Sequence, residues 1–258
     1  MNKIITFIFI IIIVFAIIAY SKTFNEQALE NTPTPTITGF FPTPADAKNV
    51  IEVSYNNEEY YVFYSPINNR SIELIPNFTQ KIASSDLINN HKCSAAINGG
   101  FYTTENTPLG LFIANGKQYT PEIINDRNLL TGFFSVDNNG SPAIGSVKPD
   151  TNQLVIQTGP LLLRDIPFNA RIDENARRSL IVKDSTDTFY LVMITLKNDI
   201  YSGPFLSHLP GILFSISDPF SIEVAINLDG GSASTFYDDD FHIPELSNIG
   251  SLICIYWV

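Results

Sequence analysis

The stretch Ile222-Glu223-Val224-Ala225-Ile226-Asn227-Leu228-Asp229-Gly230-Gly231-Ser232 decides the fold. Its first five residues are mostly β-branched or small apolar, without helical spacing, which is the pattern of a buried strand. An amide, a carboxylate and two glycines then arrive together, where a strand ends and its backbone can be approached closely. Two other places repeat the wording. An apolar run at 93–97 leads into Asn98-Gly99-Gly100-Phe101-Tyr102, and one at 154–156 into Gln157-Thr158-Gly159-Pro160. A rigid sheet that presents polar groups from its strand ends is the arrangement expected.

The flanking chain also reads as strand. Residues 50–55 and 59–65 enclose the turn Asn56-Asn57-Glu58. A strand at 109–114 meets Asn115-Gly116-Lys117, whose Asn-Gly pair supplies positive φ. Residues 132–137 run into Asn138-Asn139-Gly140, 179–183 and 188–195 flank residues 184–187, and 72–75 and 252–258 are further strands. Helix signals are few: a weak pattern at 79–89, and a helix start at 232–236 after the double glycine. The class expected is α+β, a β-rich single domain with mixed sheets and few short helices.

The chain has 258 residues, 45% hydrophobic and 16% charged, enough for a substantial core. Its formal net charge of −11 argues against nucleic acid as partner, while leaving room for one local arginine on one phosphate. Residues 1–21 read as a signal peptide or an uncleaved signal anchor: Lys3 precedes an almost unbroken apolar run, and Ala19-Tyr20-Ser21 offers a cleavage site. Either way the folded part lies outside the cytoplasm, secreted, periplasmic or held at the membrane by its N-terminal segment. Residues 22–49, with Thr32-Pro33-Thr34-Pro35-Thr36, form a Thr/Pro-rich linker, and 50–258 the domain. Cys93 and Cys254 either pair in that compartment or remain two buried thiols.

Asp229 is the sharpest candidate, a carboxylate on a pocket wall beside Gly230 and Gly231. Ser232 or Ser234 would cap the following helix and aim its amides at a phosphate. A plain turn is the alternative. Asn98 can both donate to and accept from a sugar hydroxyl, and Phe101 and Tyr102 offer an apolar face. Arg177 and Arg178 are neighbours in a strand, so their side chains face opposite sides. One can meet phosphate oxygens as a fork. A surface ion pair is the default for Arg177 and for Arg171. His91, His208 and His242 lack metal-ligand spacing, and Asp238-Asp239-Asp240 lacks that of a calcium loop. No metal or cofactor is expected.

Taken in order, Asn98–Tyr102, Pro108-Leu109-Gly110-Leu111, Asn115-Gly116-Lys117, Gln157–Pro160, Arg178 before a strand and Asn227–Ser234 resemble the blocks of the phosphodiester glycosidase family. The resemblance implies hydrolysis of a sugar-1-phosphodiester to free sugar and phosphomonoester, so the partner is a carbohydrate phosphodiester; the expected location outside the cytoplasm points to envelope glycans or an exopolysaccharide. It implies Asp229, Arg178 and Asn98 as catalytic residues. Gly99, Gly100, Phe101, Gln157, Gly159, Arg177, Asn227, Gly230, Gly231 and Ser232 would bind substrate. Glu105 and Asp165 are the candidates for a second carboxylate. Family analogy also places a helix at 205–213, cut short by Pro210-Gly211. A catalytically silent sugar-phosphate-binding protein on the same fold is the alternative. A third reading, a structural envelope protein, predicts Asn98, Arg178 and Asp229 far apart.

Overall fold

The computed structural model describes residues 47–257, apart from 68–69, 126–127, 151–152, 167, 169, 171–172 and 240. The predicted signal segment, nearly all of the linker, and Arg171 lie outside the described residues.

Sixteen strands form three sheets among these residues. The first runs in the order β1 (Val50–Tyr55), β2 (Glu58–Pro66), β12 (Phe189–Leu196), β11 (Arg178–Asp184), β13 (Ile222–Asn227) and β10 (Leu161–Leu163). The second is β15 (Phe241–Ile243), β14 (Phe236–Asp238), β4 (Ala95–Asn98), β16 (Ser251–Trp257) and β3 (Arg70–Pro76). The third is β6 (Lys117–Thr120), β5 (Phe112–Ala114), β9 (Leu154–Thr158), β7 (Gly132–Val136) and β8 (Pro142–Gly145). The domain is β-rich, as expected, and each strand pairing is antiparallel rather than mixed. Short turns allow this. Asn56 and Asn57 take positive φ of 50° and 63° and close the β1–β2 hairpin with Tyr55 opposite Glu58.

One core draws on all three sheets. Phe63, Ile181 and Ile226 meet Leu74, Ile97 and Ile253 from the second sheet and Phe134 and Ile156 from the third. Alternate residues of the first sheet point the other way. Val62, Leu180, Val182, Val192 and Ala225 pack on Leu209, Ile212 and Leu213 of α2 (Leu209–Ser215). A sheet covered on both faces needs near-continuous apolar strands, which is why β11 and β12 show little alternation. A second helix among the described residues, α1 (Ser84–His91), lays Leu87 and Ile88 on Ala96 and Leu252 of the second sheet. Cys93 and Cys254 form a disulfide in that same cluster.

Two helix expectations need correction. Pro210 stands in the first turn of α2, where its missing N–H costs no bond, so it starts that helix instead of breaking it. After the double glycine there is only a three-residue 3₁₀ turn, Gly231–Ala233. Ser234 Oγ donates to the Arg177 carbonyl and the Thr235 amide donates to Asn98 Oδ1, drawing the chain straight into β14. No helix N-terminus is therefore available there as a phosphate cradle.

Candidate active site

β11 begins at Arg178 and its antiparallel neighbour β13 ends at Asn227, with Leu180 opposite Asn227. The start of one strand and the end of the other thus share one end of the first sheet. β4 of the second sheet also ends there, at Asn98. The Asn98 amide joins the two sheets: its Nδ2 donates to the Asp229 carbonyl at 2.7 Å, and its Oδ1 accepts from Ser179 Oγ at 2.6 Å. Oδ1 also accepts from the Thr235 amide at 3.1 Å, and Nδ2 reaches the Gly99 carbonyl at 3.3 Å. This 1% exposed side chain is committed to the protein, so Asn98 holds the site in place instead of offering its amide to a sugar.

A cavity of about 210 Å³ opens at this junction, lined by Phe101, Leu129, Glu174, Ala176, Arg178, Leu206, Asn227, Asp229, Gly230 and Gly231. Asp229 is half-buried, and the one hydrogen bond to its carboxylate among the described residues comes from the Gly230 amide at 2.9 Å. Burial raises its pKa to about 7, and that single amide offsets only part of the effect. The same carboxylate and burial push the Tyr102 phenol up, with burial the larger cause.

Arg178 is 7% exposed. Its Nε donates to the Pro204 carbonyl at 3.0 Å and its Nη2 to the Glu174 carbonyl. Nη1 has no acceptor among the described residues and lies beside Gly230, 3.7 Å from where a side chain would start on that glycine. The guanidinium is thus held by two carbonyls and points a third donor group toward the cavity. Burial pulls its pKa down, while Asp173 and Glu174 support the charge.

Asn227 completes the wall. Its Nδ2 donates to the Gly159 and Leu228 carbonyls at 3.1 and 2.6 Å, whereas Oδ1 is buried without a partner among the described residues. An orphaned buried acceptor beside a cavity is costly unless a ligand's hydroxyl meets it.

The remaining predicted residues stand behind the cavity. Arg177 is fully buried, contrary to the expected surface ion pair. It donates from Nε to the Gly231 carbonyl at 3.2 Å and from Nη1 to Pro244 at 2.9 Å, buttressing the double glycine. Gln157 uses its amide on Leu111, Ile124 and Leu130 and so fixes the segment that carries Leu129. Gly159, at φ 149°, lies so close to Leu129 that a side chain would start 2.3 Å from that carbonyl. Gly99 and Gly100 are buried, and a side chain on Gly99 would meet Ser251 Oγ at 2.1 Å. Ser232 is exposed and pairs with Ser247 at 2.9 Å.

Glu105 and Asp165 are exposed and line no part of this cavity. Besides Asp229, the acidic residue that lines it is Glu174, which sequence reasoning missed. Its signal was position: it stands four residues before Arg178, in the same approach to β11.

The family description of phosphodiester glycosidases matches residues 91–254, well over half of the chain. The chain belongs to the phosphodiester glycosidase family. Among solved structures, it is similar to the catalytic domain of zebrafish N-acetylglucosamine-1-phosphodiester alpha-N-acetylglucosaminidase, auto-inhibited by its pro-peptide. That match has 17% identity and a TM-score of 0.57 over 80% of this chain and 81% of that one. It is also similar to a hypothetical protein from Synechocystis, with 14% identity and a TM-score of 0.58 over 80% of this chain and 61% of that one. A third likeness is to a protein described as exported, from Burkholderia pseudomallei, at 11% identity and TM-score 0.55 over 79% and 75% of the two chains. At these identities the likenesses speak for the fold. No curated protein matches the chain.

The third sequence reading fails on geometry: Asn98 bonds the Asp229 backbone, and Arg178 and Asp229 line one cavity.

Proposed function

We propose that the protein is an exported hydrolase that cleaves a sugar-1-phosphodiester into free sugar and phosphomonoester. One observation carries the proposal: Asp229, Arg178 with its uncommitted Nη1, and Asn227 line one small cavity. The family supplies the substrate class, and the disulfide fits a compartment outside the cytoplasm, where disulfides persist.

The chemistry follows from these groups. A sugar ring rests on Phe101 and donates a hydroxyl to Asn227 Oδ1. The bond from the anomeric carbon to the bridging oxygen breaks, and its electron pair leaves with the phosphate. A phosphomonoester is a good leaving group, so charge stabilisation matters more than protonation. Arg178 Nη1 meets the departing charge, and ionised Asp229 stabilises the oxocarbenium-like centre. Water adds its oxygen to the anomeric carbon and gives up a proton, for which Asp229, raised toward neutrality, is a suitable base. Glu174 at the cavity wall is the second carboxylate, placed to pass that proton to solvent or to orient the water.

The test is sugar release from a synthetic N-acetylglucosamine-1-phosphodiester. Asp229→Asn should lower kcat by about 10²–10⁴-fold, and Arg178→Ala should lower kcat/KM by about 10²–10³-fold. Full turnover by Asp229→Asn would exclude the carboxylate role. No release by the unaltered protein, combined with Arg178-dependent binding, would identify a silent binder.

A further inference from the structure

A second cavity, of about 400 Å³, lies between the end of β3, the 103–108 loop and β6. Two aromatic rings, Phe78 and Tyr119, line it, and both pack on the buried Phe112. Phe78 meets Phe112 edge-on at 5.1 Å between ring centres, and Phe112 meets Tyr119 edge-on at 5.7 Å. Tyr119 remains 40% exposed, with Lys117 Nζ 4.8 Å from its ring centre on one face. The rim is polar and uncharged: Thr79, Gln80, Asn106 and Thr107. The side-chain amides of Gln80 and Asn106 have no hydrogen-bond partner among the described residues. No carboxylate lines the cavity, although the chain has 26 acidic residues. Thr107 and Thr120 spend their hydroxyls on Thr103 and the Gly110 carbonyl, so the unengaged polar groups are the two amides. Aromatic surface beside unengaged amides matches the two-sidedness of a pyranose, with C–H faces and hydroxyl edges.

This cavity is linked to the candidate active site through Tyr102. Phe101 lines the first cavity, Asn106 and Pro108 line the second, and Tyr102 pairs with Pro108 between them. Tyr102 and Phe78 also crowd the same glycine: a side chain on Gly250 would start 2.7 Å from one ring and 2.8 Å from the other. Tyr102 is the residue that feels the charge of Asp229. The second cavity therefore adjoins the Asp229–Phe101 side of the site, where the sugar rests. Arg178 is tied instead to Pro204 and Glu174.

We propose that this cavity is a subsite for a further neutral sugar unit on the glycone, so that the protein removes an oligosaccharide, rather than a single sugar, from phosphate. The net charge of −11 supports a neutral occupant over a polyanionic chain. The inference rests on the hydrolase reading above.

The test compares methyl phosphodiesters of N-acetylglucosamine 1-phosphate and of chitotriose 1-phosphate, which share one leaving group. The ratio of kcat/KM, trisaccharide over monosaccharide, should be about ten in the unaltered protein, a difference of about 1.4 kcal/mol. It should fall to within about twofold of one in Tyr119→Ala and in Gln80→Ala, the second lying on an exposed residue where folding is not at stake. A ratio near one in the unaltered protein, or a ratio retained in both variants, overturns the subsite. If neither ester is cleaved, the hydrolase reading fails. The subsite is then decided by saturation-transfer NMR with chitotriose. Signals lost in Tyr119→Ala support it, and signals absent from the unaltered protein or unchanged in the variant overturn it.

Discussion

Asp229 carries a conflict between stability and chemistry. Its carboxyl titrates near 3.8 in an unfolded chain and at about 7 in the folded one. The folded state therefore binds the proton more tightly, the reverse of a salt-bridged aspartate. The cost of the buried charge is absent below the unfolded pKa, grows as pH rises from about 4 to 7, and is complete above 7. Asp229→Asn should then stabilise the protein at pH 8 by on the order of 1–3 kcal/mol, allowing for partial solvation, and leave stability at pH 4 nearly unchanged. Thermal unfolding at the two pH values checks this. A loss of stability at pH 8 would mean that the carboxylate is held by more than the Gly230 amide. Activity should follow the same ionisation, with kcat/KM rising through about pH 7 to a plateau, because the base and charge-stabilising roles need the ionised form.

At the scale of elements, the site is a meeting of strand ends, held by side chains that never reach the cavity. Asn98, Gln157 and Arg177 each spend their polar groups on backbone carbonyls and amides of neighbouring loops. Arg177 is the clearest case, since Arg177→Met keeps much of its volume but leaves the Gly231 and Pro244 carbonyls without their donors. The expected loss is about 1–3 kcal/mol, with activity falling because the Gly230-Gly231 turn loosens. Urea denaturation checks the stability, and kinetics well below the transition separates loosening from unfolding. Alternation along β11 decides the roles of the two arginines: Arg178 shares its face with Leu180 and Val182, and Arg177 takes the other. That two-fold period was legible in sequence, but which arginine would be buried was not, because Arg177 has carbonyl partners 54 and 67 residues away.

For the whole molecule, three antiparallel sheets around one core make almost every important contact long-range. The disulfide joins residues 161 positions apart, linking the end of α1 to β16. Closing so long a loop restricts the unfolded chain, and reduction or Cys93→Ser with Cys254→Ser should cost about 2–5 kcal/mol. Melting with and without reductant measures it. An unchanged melting temperature would show that the sheets alone carry the stability.

Local patterning determined the β-rich class, the Asn-Gly hairpins and the strand-end positions of Asn227 and Asp229. Period-two burial and positive φ at turns act over a few residues and leave their mark in the chain itself. The family blocks pointed to the family in the same way. Tertiary structure alone decided what each polar side chain does. Asn98 and Gln157 look like ligand amides and are structural staples, whereas Glu174 and Asn227 line the cavity. It also replaced the expected helix after Gly231 with a single 3₁₀ turn that runs into β14, because Asn98 and Arg177 claim the Thr235 amide and the Ser234 hydroxyl. A hydrogen bond between residues more than fifty positions apart depends on where two strands end in space, and no local pattern encodes that.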